Sequence, residues 1–139
     1  MNGLNPTQQT IRETLAKFAK FAIVGFSGVG VNAGFLFVLY EVLRMPLIAA
    51  SAISVEAAII NNFTLNSWWT FNDSELSVYK FAKFNLVSLG GMIITVMTLH
   101  ALVSNSGIYY QIANLVGITL ATIWNFALNL LWTWGWDRR

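Results

Sequence analysis

The chain has 139 residues, of which 56% are hydrophobic and 10% charged, against about 25% charged in an ordinary soluble domain. A water-facing surface cannot be assembled from that proportion, so a soluble globular domain is excluded. Eight Lys and Arg residues, spread thinly, give no basic face, and no nucleic-acid partner is expected. Cysteine is absent and His100 is the single histidine, so no disulfide framework or metal centre is available and no cofactor is expected.

In chain order, residues before Phe21 carry Arg12, Glu13, Lys17 and Lys20, with Ile11, Leu15 and Phe18 at helical spacing. No small-residue cleavage site follows, and the stretch reads as a retained interfacial helix. Four apolar segments then run from about Phe21 to Leu43, Leu47 to Trp69, Phe81 to Val103 and Tyr109 to Trp132. Each meets the roughly 20 residues of helix that cross a hydrocarbon core. The fold class is therefore an all-α membrane protein with four transmembrane helices. The connections Arg44-Met45-Pro46 and Ser104-Asn105-Ser106-Gly107 are short, so the first two helices and the last two should pair antiparallel.

Lys and Arg near helix ends are retained on the cytoplasmic side. Arg12, Lys17 and Lys20 precede the first span, Lys80 and Lys83 lie between the second and third, and Arg138 and Arg139 follow the fourth. Only Arg44 falls on the other side. Both termini of this multi-pass protein are expected in the cytoplasm.

The chain also repeats itself. Lys17-Phe-Ala-Lys-Phe21 recurs unchanged as Lys80-Phe-Ala-Lys-Phe84, an offset of 63 residues. At the same offset Asn62-Phe63-Thr-Leu-Asn66 meets Asn125-Phe126-Ala-Leu-Asn129, Trp69-Thr70 meets Trp132-Thr133, and Val24 and Gly28 meet Val87 and Gly91. A single transmembrane domain over 1–139 is expected, with repeats at about 17–71 and 80–134. Each copy contains two spans, so the copies should enter the membrane the same way up, as parallel repeats about an axis along the membrane normal.

Lys20-Phe-Ala-Ile-Val-Gly25 and Asn62-Phe-Thr-Leu-Asn66-Ser-Trp-Trp69-Thr-Phe71 resemble the repeat motifs of GtrA-type small bacterial membrane proteins. In that family a repeat opens with a basic residue and F-x-x-V-G-G and closes with N-F-x-x-N-R-x-W-x-F. The resemblance implies movement of undecaprenyl-phosphate-linked monosaccharide across the bacterial inner membrane for surface polysaccharide glycosylation. It implies as partners a polyprenyl-phosphate-linked sugar lipid, membrane lipids and a membrane glycosyltransferase. One position departs from the family pattern: Ser67, and Leu130 in the second copy, stand where the family often has Arg.

Asn62, Asn66 and Trp69 fall at i, i+4 and i+7, one stripe of a helix, and Asn125, Asn129 and Trp132 repeat it. Such amides either bond across helices or line a polar head-group groove. Lys17, Lys20, Lys80 and Lys83 sit at phosphate depth, as lipid-phosphate ligands or as topological anchors. Glu56, near the middle of the second span with Asn32 as a hydrogen-bond partner, reads as a midplane substrate or proton site, or as a structural or oligomer contact. Glu41 and His100 fall near outer helix ends, as a gate ion pair or as solvated surface groups. Gly25, Gly28, Gly30, Gly34, Gly90 and Gly91 permit close helix approach, Gly30 and Gly34 in the small-xxx-small pattern. Trp68, Trp69, Trp132, Trp134 and Trp136, with Tyr109 and Tyr110 opposite, read as aromatic belts.

No catalytic triad or carboxylate pair is visible, and the chain is not expected to be an enzyme. The leading expectation is a flippase or flippase subunit, working as a homodimer because four helices enclose little interior. The alternatives are a small proton-coupled exporter acting through Glu56 and a non-transporting partner of a polyprenyl-phosphate glycosyltransferase.

Overall fold

The computed structural model describes residues 6–135, the Tyr110 side chain excepted. Arg138, Arg139 and Trp136, and the side chain of Tyr110, lie outside the described residues. All regular structure among them is helical: α1 is Pro6–Leu36, α2 Leu47–Leu65, α3 Val78–Ser106 and α4 Tyr110–Leu128. Wider π-helical turns extend α1 over Phe37–Val42, α2 over Asn66–Thr70 and α4 over Asn129–Thr133. Four of these helical runs are long and apolar enough to cross a membrane.

The amphipathic N-terminal stretch is helical, but it is the start of α1 and not a separate element. No Gly or Pro lies between Pro6 and Gly25 to break the hydrogen-bond ladder. The run from Pro6 to Val42 has 37 residues. At about 1.5 Å per residue it is about 55 Å long, well beyond a hydrocarbon core of about 30 Å. Ile11 and Leu15 remain exposed on it. The second connection is likewise shorter than expected. Ser104 to Ser106 continue α3, and Gly107 ends it in a left-handed conformation at φ 62°. The amides of Gly107 and Ile108 donate to the carbonyls of Val103 and Leu102. At the other end of α3 the Ser77 hydroxyl accepts the Tyr79 amide at 3.2 Å, a side-chain cap that fixes the helix start.

The chain divides into two compact units, Met1–Glu75 and Leu76–Arg139. In the first, α1 packs on α2; in the second, α3 packs on α4. The α1 residues buried against α2 are Phe21, Val24 and Gly28, on one stripe of the helix. In α3 they are Phe84, Val87 and Gly91. Each buried glycine faces an asparagine. A Cβ on Gly28 would overlap the Asn62 carboxamide, and one on Gly91 would lie 2.5 Å from Asn125 Oδ1. In the second unit Gly117 brings the backbones closer still, for its Cβ would stand 2.9 Å from the Thr95 carbonyl oxygen. Thr95 Oγ1 donates to the Gly91 carbonyl at 3.1 Å and reaches the Gly117 carbonyl at 3.4 Å.

The other glycines of the first span pack differently from the sequence expectation. Around Gly25, Gly30 and Gly34 nothing lies within 4 Å of an added Cβ. The Gly30-x-x-x-Gly34 pattern therefore does not make the α1–α2 contact; the helix rotation set by Phe21, Val24 and Gly28 turns it away. Gly28→Ala and Gly91→Ala should each destabilise the protein by about 1–3 kcal/mol through overpacking. Gly30→Ala should be neutral or slightly stabilising, since Ala is the better helix former. Thermal unfolding of the four proteins in one detergent checks the order.

Candidate functional site at the hairpin ends

In each unit the polar residues gather where the early turns of one helix meet the last turn of its partner. That last turn is π-helical. Phe71 N–H donates to the Asn66 carbonyl at 2.9 Å, and Trp134 N–H to the Asn129 carbonyl at 3.0 Å, five residues back in place of four. Inside each wide turn a threonine hydroxyl donates to the asparagine carboxamide. Thr70 Oγ1 to Asn66 Oδ1 is 2.8 Å, and Thr133 Oγ1 to Asn129 Oδ1 is 2.6 Å. All four residues are buried.

This geometry alters the asparagine stripe. Regular helical spacing places Trp69 above Asn62 and Asn66, but the wide turn delays the chain. Thr70 takes the inward position, while Trp69 and Trp132 turn outward and stay almost half exposed. The bond made by Asn66 is within its own helix, not across helices. Asn62 and Asn125 are half-buried against the glycines that face them. In the first unit the cross-helix bond comes from Asn61, whose Nδ2 donates to Ser27 Oγ at 3.1 Å and to Asn62 Oδ1 at 3.3 Å. Sequence reasoning passed over Asn61, although the adjacent pair Asn61-Asn62 was a signal. In the second unit the Trp124 indole stands over Gly90. Buried Asn125 Oδ1 and Asn129 Nδ2 have no hydrogen-bond partner. Ser67 and Leu130, in the place of the family Arg, are buried too.

The last carbonyls of a helix have no partner within it and attract cations. Lys20 Nζ donates to the Trp69 carbonyl at 3.2 Å and lies 5.6 Å from the Trp69 ring centre. Lys83 Nζ donates to the Trp132 carbonyl, also at 3.2 Å, and lies 5.3 Å from the Trp132 ring. It lies closer, 4.4 Å, to the ring of Tyr79. An exposed cation–π contact contributes about 0.5–1 kcal/mol. Below each lysine an edge-to-face pair closes the end of the hairpin. The pairs are Phe21 with Phe71 at 6.4 Å and Phe84 with Trp134 at 5.9 Å.

In the first unit these groups border an open depression of about 260 Å³. Glu13, Ala16, Lys17, Lys20, Trp69, Thr70 and Asn72 line it. Asn72 ends the second span in a left-handed conformation at φ 56°, which asparagine tolerates better than most residues. Lys80, like Lys17, is half-buried.

The remaining candidates lie elsewhere. Glu56 is exposed on the outer face of α2 within the first unit. Asn32 Oδ1 is buried without a partner. Glu41 is exposed on the π-helical extension of α1. His100 Nδ1 and Ser104 Oγ are 3.4 Å apart within α3.

The fold and its polar hairpin ends define a multi-pass helical membrane protein. The model of the family described as GtrA/DPMS, transmembrane domain, matches residues 20–134. The chain belongs to that family. It is also 39% identical over 120 residues to a protein of Pyrococcus furiosus named dolichol-phosphate mannosyltransferase. The match takes in 85% of this chain and 34% of the relative, so the chain spans about a third of that protein's length. This match overturns the expectation that the chain stands apart from enzymes, because the relative bears the name of one.

Removing one partner of a buried hydrogen bond leaves the other unsatisfied, at a cost of about 1–3 kcal/mol. Thr70→Val should therefore lower stability by that amount. Thr70→Val with Asn66→Leu should recover part of it, and a double-mutant cycle in detergent measures the coupling.

Proposed function

We propose that this chain handles polyprenyl-phosphate-linked monosaccharide, docking the phosphate at the lysine-bearing hairpin ends and carrying the head group across the membrane. The observation that supports this most is the lysine held beside an exposed tryptophan at each hairpin end. An ammonium has three donors. One engages the helix-end carbonyl, which fixes the nitrogen and leaves the others to meet a phosphate oxygen. Anchoring and phosphate binding are then properties of one group. The ligand class comes from the family resemblance and from the name of the Pyrococcus furiosus relative.

In this reading the two units are parallel repeats, with both termini in the cytoplasm of a bacterial inner membrane and a homodimer as the working form. The contacts that recur at an offset of 63 residues support duplication. They are the Lys–Trp carbonyl bond, the Thr–Asn bond and the Gly–Asn contact. Left-handed residues recur at that offset also, Arg44 with Gly107 and Asn72 with Gly135. The polar groove of the first unit is formed by Lys17, Lys20, Trp69 and Thr70, with Asn62 and Asn66 supporting that hairpin; Asn125, Asn129 and Trp132 are their counterparts in the second unit. Glu56, exposed on α2, is a separate position for substrate or proton handling, with Asn32 half-buried on α1.

A second reading is that the chain is the membrane part of a polyprenyl-phosphate sugar-transfer system, presenting the lipid to a transferase. It is favoured by the match to a third of a protein named as a mannosyltransferase.

Purified protein in proteoliposomes should redistribute undecaprenyl-phosphate mannose between leaflets. Lys17→Gln with Lys20→Gln should slow this about tenfold or more. If the wild type redistributes none, transport is overturned. A gain in mannosyl transfer on adding the chain to a polyprenyl-phosphate mannosyltransferase would then assign the second reading.

A further inference from the structure

The two hairpin ends share their lysine and tryptophan, but not the side chains that border them. The depression of the first unit is bounded by Glu13 and Ala16 on α1 and by Asn72 beyond the second span. At an offset of 63 residues these positions are Leu76, Tyr79 and Gly135. The Ala16/Tyr79 difference matters most. Ala16 places no ring beside the Lys20 ammonium, which borders the depression, whereas the Tyr79 ring lies 4.4 Å from Lys83 Nζ. Leu76, aligned with Glu13, has no polar side-chain atom and lies before α3 begins at Val78, so the second unit has no helical carboxylate at that position.

Resting on the reading above, we propose that the head group binds in the first unit alone, with the phosphate at Lys17 and Lys20 and the sugar hydroxyls on Glu13 and Trp69. Three features of the depression select this ligand. Two ammonium groups attract the phosphate. The Glu13 carboxylate repels a bare phosphate monoester, which carries nearly two charges at neutral pH. The same carboxylate accepts hydrogen bonds from the hydroxyls of a sugar joined through a singly charged phosphodiester. The exposed face of Trp69 gives a sugar ring an apolar wall. At about 260 Å³ the open depression has room for a phosphoryl group with one sugar ring, just under the range of about 300–1,000 Å³ of drug-sized pockets. The second unit keeps its lysine as a helix cap and lipid anchor.

The test uses the full chain in nanodiscs, with undecaprenyl-phosphate mannose, undecaprenyl phosphate and GDP-mannose as probes. Ala16→Tyr places a tyrosine on an exposed site and leaves every charge in place. It should weaken binding of the mannose lipid about tenfold or more, whereas Tyr79→Ala should leave it within about twofold. Glu13→Gln should reduce the preference for the mannose lipid over undecaprenyl phosphate about tenfold, the effect of one charge-assisted hydrogen bond. Unchanged binding by Ala16→Tyr overturns the first-unit site while leaving the lipid ligand standing. Binding of neither lipid by the wild type overturns both, and binding of GDP-mannose in their place overturns the lipid assignment.

Discussion

A helix can hold an asparagine carboxamide against its neighbour's backbone only where the facing residue has no Cβ. Gly28 opposite Asn62 and Gly91 opposite Asn125 meet that condition in the two units. The contact fixes how far apart the helices run and which turns lie side by side. Because the pairing is antiparallel, moving from Gly28 toward the start of α1 matches moving from Asn62 toward the end of the second span. Lys20 therefore arrives at the Trp69 carbonyl, and Lys83 at that of Trp132. The placement of the cation at the helix end follows from a packing contact two turns away.

The π-helical turn converts that register into a site. Hydrogen bonds that reach back five residues swing the tryptophan out and bring the threonine in. The helix then ends with an inward Thr–Asn bond, an outward indole and a carbonyl within reach of lysine. Capping a helix end with a cation stabilises it by about 0.3–1 kcal/mol. Under the proposed function, holding the ammonium in one place also reduces the entropy cost of placing it against a ligand phosphate.

Near-identical hairpin ends acquire different chemistry from their borders. Glu13 and Ala16 against Leu76 and Tyr79 change charge and space beside an otherwise common lysine. A similar divergence lies deeper, where Ser27 with Asn61 in the first unit is replaced by Gly90 with Trp124 in the second. At the deeper position the small Gly90 is matched by the large Trp124 on the facing helix. The hairpin spacing is kept while the polar content changes. Membership of the GtrA/DPMS transmembrane-domain family accounts for the shared frame.

The four helices long and apolar enough to cross a membrane, and their pairing into two hairpins, were legible in the amino-acid order. They depend on hydropathy, charge and spacing, which are properties of the chain alone. The continuity of α1 was legible in principle, since nothing between Pro6 and Gly25 breaks a helix. The burial of Asn66, the outward turn of Trp69, the cross-helix bond of Asn61 and the depression beside Lys20 were not. Spacing rules assume 3.6 residues per turn, and a single wide turn reassigns every face beyond it. Which turns widen, and whether a lysine reaches a carbonyl 49 residues further on, depends on how two helices meet. Only the tertiary structure decides that, because the atoms involved are far apart in the chain.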